Sequence, residues 1–214
     1  MGGLCIQNEI PSRSNSSEMN SHQTCMLIVT LGDSLTAGWT SPGRNDMNTA
    51  YGNYISLPDS LNASVIIRAF PGYTVSAISS LVTKKVFKDA DVVIVMGGTN
   101  DLILHSSVDT IATHFKLLKD RINSYTKSSC KLFILELPPI NCDQVSGIEV
   151  RKDTDLLIKD INKCYQDLCS EDINCHFVSW FNETSAELVD GVHLNGDSYR
   201  RLGEYLSTII ESYL

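Results

Sequence analysis

The sequence has little positive charge and no long apolar run, and both absences exclude classes of partner. Lysine and arginine number 17 against 25 aspartate and glutamate residues, so the formal charge is −8 and the pI about 5.0. Binding to nucleic acid requires a basic face, so we expect no nucleic-acid partner. No run spans a bilayer, and residues 1–25 lack the apolar stretch of a secretory signal. We therefore expect a cytoplasmic protein with no transmembrane segment.

The cysteines lack the spacing of a metal site or a disulfide framework. There are seven of them, an odd number, and none forms a Cys-x-x-Cys pair. Cys164 and Cys169 lie five positions apart on a predicted helix, which puts them on different faces. We interpret the cysteines as mostly buried, reduced thiols, and we predict no metal and no cofactor.

What the sequence does contain is a series of short apolar runs separated by helical patterns. The runs are rich in β-branched residues and are typical of buried parallel strands. They cover residues 26–31, 63–70, 91–96, 130–135 and 175–178. Strands that alternate with helices predict a parallel sheet with helices on both faces. We expect a three-layer αβα sandwich around a flavodoxin-like sheet of five strands.

The helical patterns each have one apolar stripe. Thr74 is a predicted N-cap for a helix with Val75, Ile78 and Leu81 or Val82 on one side, and residues 36–57 are predicted to form a loop and a short helix. The three longer stripes are Ile111, Phe115, Leu118, Ile122 and Tyr125; Leu157, Ile161, Cys164 and Leu168; and Leu202, Leu206, Ile209 and Tyr213.

Residues 1–24 differ from the rest of the chain. They are rich in serine and asparagine and have no periodicity, so we predict a flexible tail followed by a single domain at residues 25–214. Gly2 and Cys5 match part of an acylation signal, but Ile6 stands where the motif has serine or threonine. N-terminal acylation with membrane anchoring is therefore an alternative that rests on an incomplete motif.

Polar residues that can carry acyl transfer follow the predicted strands. Ser34 follows the first strand, Gly72 the second, Asn100 the third, and Asp190 and His193 the fifth. The carboxyl ends of parallel strands share one edge of the sheet, so these residues should meet there. Each also has an ordinary explanation, because such residues form turns and cap helices.

The chemistry suggests a role for each of these residues. A serine hydroxyl needs a base to become nucleophilic, and His193 is the histidine placed to act on Ser34. Asp190 can orient the imidazole. A tetrahedral intermediate needs donors for its oxyanion, and the N–H groups of Ser34 and Gly72 and the Asn100 amide can supply them.

Four short segments together resemble the conserved blocks of the SGNH, or GDSL, hydrolases. They are Gly32-Asp33-Ser34-Leu35, the Gly72 turn, Gly98-Thr99-Asn100-Asp101 and Asp190-Gly191-Val192-His193, and they follow the family's order. The family often has an asparagine shortly before its oxyanion glycine, where this chain has residues 68–71, Arg-Ala-Phe-Pro. There is no Gly-x-Ser-x-Gly elbow, which disfavours an α/β-hydrolase fold.

The resemblance implies a metal-independent carboxylic ester hydrolase that forms an acyl-enzyme on Ser34. Short acyl or acetyl esters are the default substrate, and acylated carbohydrates, lysophospholipids and thioesters stay open. Trp39, Trp180 and Phe181 either line a substrate pocket or complete the core.

Two other readings of the sequence stay open. Flavodoxin-like sheets also bind flavins and phosphates at this edge, although Gly97-Gly98 is short for a phosphate loop and no Walker lysine follows it. A catalytically inactive family member that serves recognition is the other alternative.

Overall fold

A computed structural model describes residues 25–41, 44–45, 49–147 and 149–214 of the chain. The predicted tail at residues 1–24, with its acylation pattern, lies outside the described residues.

The main sheet has five parallel strands, which we label β1 to β5 in chain order. They are β1 (Leu27–Gly32), β2 (Ser64–Ala69), β3 (Val92–Met96), β4 (Lys131–Leu135) and β5 (Cys175–Val178). Their order across the sheet is β2-β1-β3-β4-β5, and every neighbouring pair is parallel. The chain reverses its direction of winding between β1 and β3, which is where ligand sites form in such sheets.

Helices cover both faces of this sheet, as the alternation predicted. They are α1 (Ser34–Ala37), α2 (Val75–Ser80), α3 (Lys84–Phe87), α4 (Thr99–Ile103), α5 (Val108–Tyr125), α6 (Thr154–Ser170) and α7 (Gly196–Glu211). One core cluster joins the sheet to α2, α5 and α6, and a second joins its other face to α7. The prediction of a three-layer αβα sandwich on a five-stranded flavodoxin-like sheet is confirmed.

The region that follows α1 contains the short helix that was predicted for residues 36–57, as a 3-10 helix at Tyr51–Tyr54, and a second 3-10 helix follows at Asp59–Leu61. It differs from the prediction in that Trp39–Ser41 and Arg44–Asn45 pair as a small antiparallel hairpin. Thr74 does cap α2, since its side chain accepts from the Ala77 N–H, but the helix ends at Ser80 and α3 begins only at Lys84.

The buried residues of α6 and α7 differ from the apolar stripes predicted for these helices, whereas those of α5 agree. On α5 the buried residues are Ile111, Phe115, Leu118 and Ile122, as predicted, with Tyr125 half-buried at the end. On α6 the buried stripe is instead Thr154, Ile158, Ile161, Tyr165 and Cys169, and on α7 the fully buried positions include Tyr199, Leu202, Leu206 and Ile210.

The shift on α6 has a polar cause. The Tyr165 hydroxyl donates to the Gly97 carbonyl oxygen at 3.0 Å, so the helix turns Tyr165 inward, and Leu157, Cys164 and Leu168 lie at the edge of the stripe. The apolar pattern alone does not show that the tyrosine at this position finds a partner for its hydroxyl.

Candidate active site

Ser34 lies directly beyond the buried end of β1. A side chain at Gly32 would collide with the Thr36 side chain and the Met96 carbonyl oxygen, so only glycine fits where the strand ends. The Asp33 carboxylate then accepts the Leu35 N–H at 3.0 Å, which caps α1 and turns the chain into the helix. As the first residue of α1, Ser34 is 8% exposed.

His193 and Asp190 are hydrogen-bonded to Ser34 in a continuous chain. His193 Nε2 lies 2.9 Å from Ser34 Oγ, and His193 Nδ1 lies 2.8 Å from Asp190 Oδ2. The other Asp190 oxygen accepts the backbone N–H groups of Val192, at 3.0 Å, and His193, at 2.7 Å. The loop after β5 therefore fixes the imidazole through its own aspartate.

The charge state of Asp190 determines the tautomer of His193. Burial raises the pKa of Asp190, but the hydrogen bonds from His193 and Val192 outweigh it and leave the pKa below its ordinary value. An ionised carboxylate can only accept, so Nδ1 carries the ring proton. In the neutral imidazole, Nε2 is then free to accept the Ser34 hydroxyl proton.

Asn100, in the first turn of α4, and Gly72, on the loop after β2, lie near the Ser34 turn. The Asn100 amide nitrogen donates to the Tyr73 carbonyl oxygen at 3.0 Å and to Asp33 Oδ2 at 3.3 Å, which ties the start of α4 to the loop after β2 and to the turn before Ser34. Gly72 has φ +79°, a left-handed conformation that favours glycine. Within the described residues, the N–H groups of Ser34 and Gly72 donate to no other protein group.

Two buried carboxyl groups next to this site were not singled out by the sequence analysis. Asp33 is fully buried, and burial, with a smaller contribution from nearby Asp101, raises its pKa to about 7. Asp101 is 1% exposed, accepts the Val75 N–H at 2.9 Å, and has a raised pKa for the same main reason. The signal available in the sequence was their position, since each is adjacent to a candidate site residue.

The three aromatic residues divide between the site and the core. The Trp39 ring lies 5.9 Å from the His193 ring, centroid to centroid, and forms one side of the site. Trp180 is fully buried in the core cluster beneath α7.

Phe181 lines a cavity of about 730 Å³ that borders the loop of Asp190. The Asn141 N–H, at the cavity wall, donates to the Gly191 carbonyl oxygen at 2.8 Å. The polar side chains of the wall are Asn141, Asp143, Gln144, Lys152, Asp155 and Glu187.

The family model of the GDSL-like lipase/acylhydrolases matches residues 30–201. The chain belongs to that family. The predicted resemblance is therefore confirmed, and with it the expectation of a carboxylic ester hydrolase. A search of the curated proteins gives no match.

Solved structures agree with this assignment at the level of the fold. A carbohydrate acetylesterase family member from Sinorhizobium meliloti is 20% identical with a TM-score of 0.71, and the alignment covers 88% of this chain and 99% of that one. The aryl esterase of M. smegmatis is also 20% identical, with a TM-score of 0.70 and coverage of 88% and 100%.

Membrane-spanning helices and metal-binding clusters are both absent from the part of the chain that the structure describes. Among the described residues, no helix has both the length and the apolar character needed to cross a membrane. In the same part of the chain, no three histidine, cysteine, aspartate or glutamate side chains are grouped as ligands for a metal ion.

Proposed function

We propose that this GDSL-family hydrolase cleaves short-chain acyl esters through an acyl-enzyme on Ser34. The observation that carries the proposal is the hydrogen-bond chain from Ser34 Oγ through the His193 ring to Asp190. A hydroxyl, a base and an orienting carboxylate in this order form the arrangement that activates a serine.

The first half-reaction transfers the acyl group to the enzyme. Ser34 Oγ attacks the acyl carbon while His193 Nε2 takes its proton, and Asp190 stabilises the imidazolium that forms. The carbonyl oxygen becomes an oxyanion, for which the N–H groups of Ser34 and Gly72 and the Asn100 amide are the candidate donors. His193 then gives the proton to the departing alcohol.

The second half-reaction returns the serine. Water takes the place of the alcohol, His193 removes a proton from it, and the tetrahedral intermediate expels Ser34 Oγ, which recovers its proton. No step requires a metal or a cofactor.

A flavin- or phosphate-binding role fits the site less well. Asp190 is the charged carboxylate of the site, and an anionic ligand next to His193 would meet its charge. The wall of the neighbouring cavity also includes three acidic residues, Asp143, Asp155 and Glu187. This electrostatic environment favours a neutral ester over a phosphate.

The cavity beside the Asp190 loop supports a polar alcohol for the substrate. Its carboxylates, amides and lysine can bond hydroxyl groups, so among the substrates considered an acylated carbohydrate fits better than a lysophospholipid. The expected result is a higher kcat/KM for an acetylated sugar than for an alkyl acetate of similar size, and a smaller ratio in Gln144→Ala. An unchanged ratio would place the alcohol elsewhere.

Labelling with a fluorophosphonate tests the nucleophile. The adduct should map to Ser34 by mass spectrometry, and Ser34→Ala should reduce hydrolysis of a chromogenic acetate to background. Ser124→Ala, on the exposed face of α5, is the matched control and should keep full activity. Labelling at another serine, or full activity in Ser34→Ala, would contradict the proposal, whereas a folded wild type without turnover would favour the inactive alternative.

A further inference from the structure

Two buried sulfur atoms lie at the edge of the sheet opposite the candidate active site. Cys169 is in the last turn of α6, and Cys175 is the first residue of β5. Their Sγ atoms are 3.0 Å apart, and the residues are only 7% and 4% exposed. The spacing of Cys164 and Cys169 on one helix does not predict this pair, because Cys175 lies on a different element.

Polar contacts hold the turn between these cysteines. The Asp172 N–H donates to the Cys169 carbonyl oxygen at 3.1 Å, and the Cys175 N–H donates to the Asp172 carbonyl oxygen at 2.9 Å. From α5, Lys119 Nζ lies 3.3 Å from the Asp172 carboxylate and Asn123 donates to it at 3.2 Å. The two thiols therefore stay together without a covalent bond.

The surroundings make the two thiols chemically unequal. The hydrogen bond from Cys175 holds the pKa of Cys169 below its ordinary value, and Lys119 acts in the same direction against the effect of burial. The same hydrogen bond and burial raise the pKa of Cys175. Lys119 is itself buried and donates to the Leu168 carbonyl oxygen at 3.1 Å, so its charge stays close to the end of α6. Cys169 is thus the thiol that becomes a nucleophile first.

We propose that Cys169 and Cys175 form a modification site, at which a peroxide oxidises the two thiols to an intramolecular disulfide. In the described structure both are free thiols, which is the reduced state of this site. Their sulfur atoms are close enough for each to react with the other without a large movement of the chain.

The reaction balances as a two-electron oxidation. The Cys169 thiolate attacks one oxygen of hydrogen peroxide, the O–O bond breaks, and the hydroxide that leaves takes a proton to become water. Cys175 sulfur then attacks the sulfenic sulfur of Cys169, the S–O bond breaks, and the departing hydroxide combines with the Cys175 proton as a second water. Two thiols and one peroxide give one disulfide and two waters.

The cross-link would stabilise the fold and leave catalysis unchanged. The disulfide closes a short loop between α6 and β5 and so lowers the entropy of the unfolded chain. For a protein of this size, the resulting gain in stability corresponds to a rise in Tm of about 5 °C. The Ser34 site lies at the carboxyl edge of the sheet, whereas Cys175 begins its strand at the amino edge. Esterase turnover is therefore expected to be equal in the reduced and oxidised forms.

Peptide mapping of the wild-type full chain tests the site directly. Protein treated with hydrogen peroxide is denatured, alkylated and cleaved at Asp167 and at Glu171, which separates Cys164, Cys169 and Cys175 into different peptides. The expected product is a Cys169–Cys175 linked pair that has lost two hydrogens and reverts with dithiothreitol. Alkylation of both residues after peroxide has oxidised the other cysteines, or pairing of either with a third cysteine, would overturn the proposal.

Matched variants distinguish the oxidation of Cys169 and Cys175 from the oxidation of other cysteines. Cys164→Ser, on the same helix, should leave both the cross-link and the Tm rise intact. Cys175→Ser should stop the reaction at a Cys169 sulfenic acid that dimedone traps, and Lys119→Met should slow the first step. A Tm rise in Cys175→Ser equal to that of the wild type would contradict the proposal. Because the mapping uses the wild type, it decides the question even where a variant fails to fold.

Discussion

Two aspartates flank the Ser34–His193 pair, and their surroundings give them opposite properties. Asp190 lies on a partly exposed loop, and hydrogen bonds from His193 and Val192 bring its pKa below the ordinary value. Asp33 is completely buried, accepts one backbone N–H and one side-chain amide, and lies near a second acid, so its pKa rises to about 7. Burial and the supply of donors, not residue type, decide which aspartate is charged.

The two aspartates therefore have different proposed roles at the site, one electrostatic and one structural. A charged Asp190 selects the His193 tautomer and stabilises the imidazolium. Asp33 instead holds geometry, because its two oxygens join the start of α1 to the Asn100 amide. Removing the charge of Asp190 should therefore reduce turnover most, and changing Asp33 should be felt most clearly in folding stability.

Asp190→Asn tests the charged side of the comparison and has the largest expected effect. The amide cannot hold the imidazole in the same tautomer, and the equivalent substitution in a serine protease lowers turnover by on the order of 10⁴-fold. The measurement is kcat on a chromogenic acetate at saturating substrate, with circular dichroism to confirm folding. Asp197→Asn, an exposed aspartate at the start of α7, is the control and should keep its activity. Near-native kcat in Asp190→Asn would remove Asp190 from the proposed triad.

Asp33→Asn tests the raised pKa of the buried aspartate through the pH dependence of folding stability. The folded pKa, about 7, lies above the ordinary value of 3.8, so the folded state binds the Asp33 proton more tightly than the unfolded state. The contribution of Asp33 to stability is then fully present below about pH 4 and falls as pH rises to about 7. At about 1.4 kcal/mol per pKa unit, the total loss is on the order of 4 kcal/mol.

The measurement for Asp33 compares urea unfolding of wild type and Asp33→Asn across pH 4 to 8. Groups common to both proteins cancel in the difference. The wild type should lose stability relative to the variant between pH 4 and 7, and the difference should level off above that. Parallel curves over the whole range would mean that Asp33 is ionised in the folded protein throughout.

Asn100→Ala tests the proposed oxyanion donor, whose amide also donates to the buried Asp33. Loss of one such donor costs on the order of 100- to 1000-fold in kcat. The Asn100 amide already contacts two acceptors, Tyr73 O and Asp33 Oδ2, and the longer contact to Asp33 is the one that can be shared with an oxyanion. Asn123→Ala on α5 serves as the control. A change confined to KM would assign Asn100 to ground-state binding.

The sequence was sufficient for the sheet, its class of topology and the edge at which the polar residues meet. Buried parallel strands are nearly continuous apolar runs, and strand Val92–Met96 is apolar at every position and buried at every position. That topology brings Ser34, Asp190 and His193 to one edge of the sheet, and the loop after β5 completes the hydrogen bonds that join them. The catalytic roles of these residues stay predictions.

What could not be predicted depends on contacts between distant parts of the chain. The register of α6 follows from Tyr165 reaching Gly97, and the Cys169–Cys175 pair follows from how the same helix ends against β5. The state of Asp33 depends on its complete burial and on Asp101, which lies 68 positions later in the sequence. Periodicity reports which face of a helix is apolar but not which polar atoms find a partner there.

Asp101→Asn tests how much the charge of Asp101 contributes to the raised pKa of Asp33, and it has the smallest expected effect. Among the causes of the raised Asp33 pKa, the charge of Asp101 is smaller than burial, so its removal should lower that pKa without returning it to the ordinary value. The asparagine oxygen can still accept the Val75 N–H, which keeps the start of α2 in place. The wild-type fall in stability should then level off at a lower pH in Asp101→Asn. Because Asp101 itself has a raised pKa, its removal also changes the pH dependence directly. The substitution is therefore repeated in the Asp33→Asn protein, in which any change in the pH dependence comes from Asp101 alone. An identical change in the two backgrounds would show that the carboxyl groups are not coupled, and the high pKa of Asp33 would then be due to burial alone.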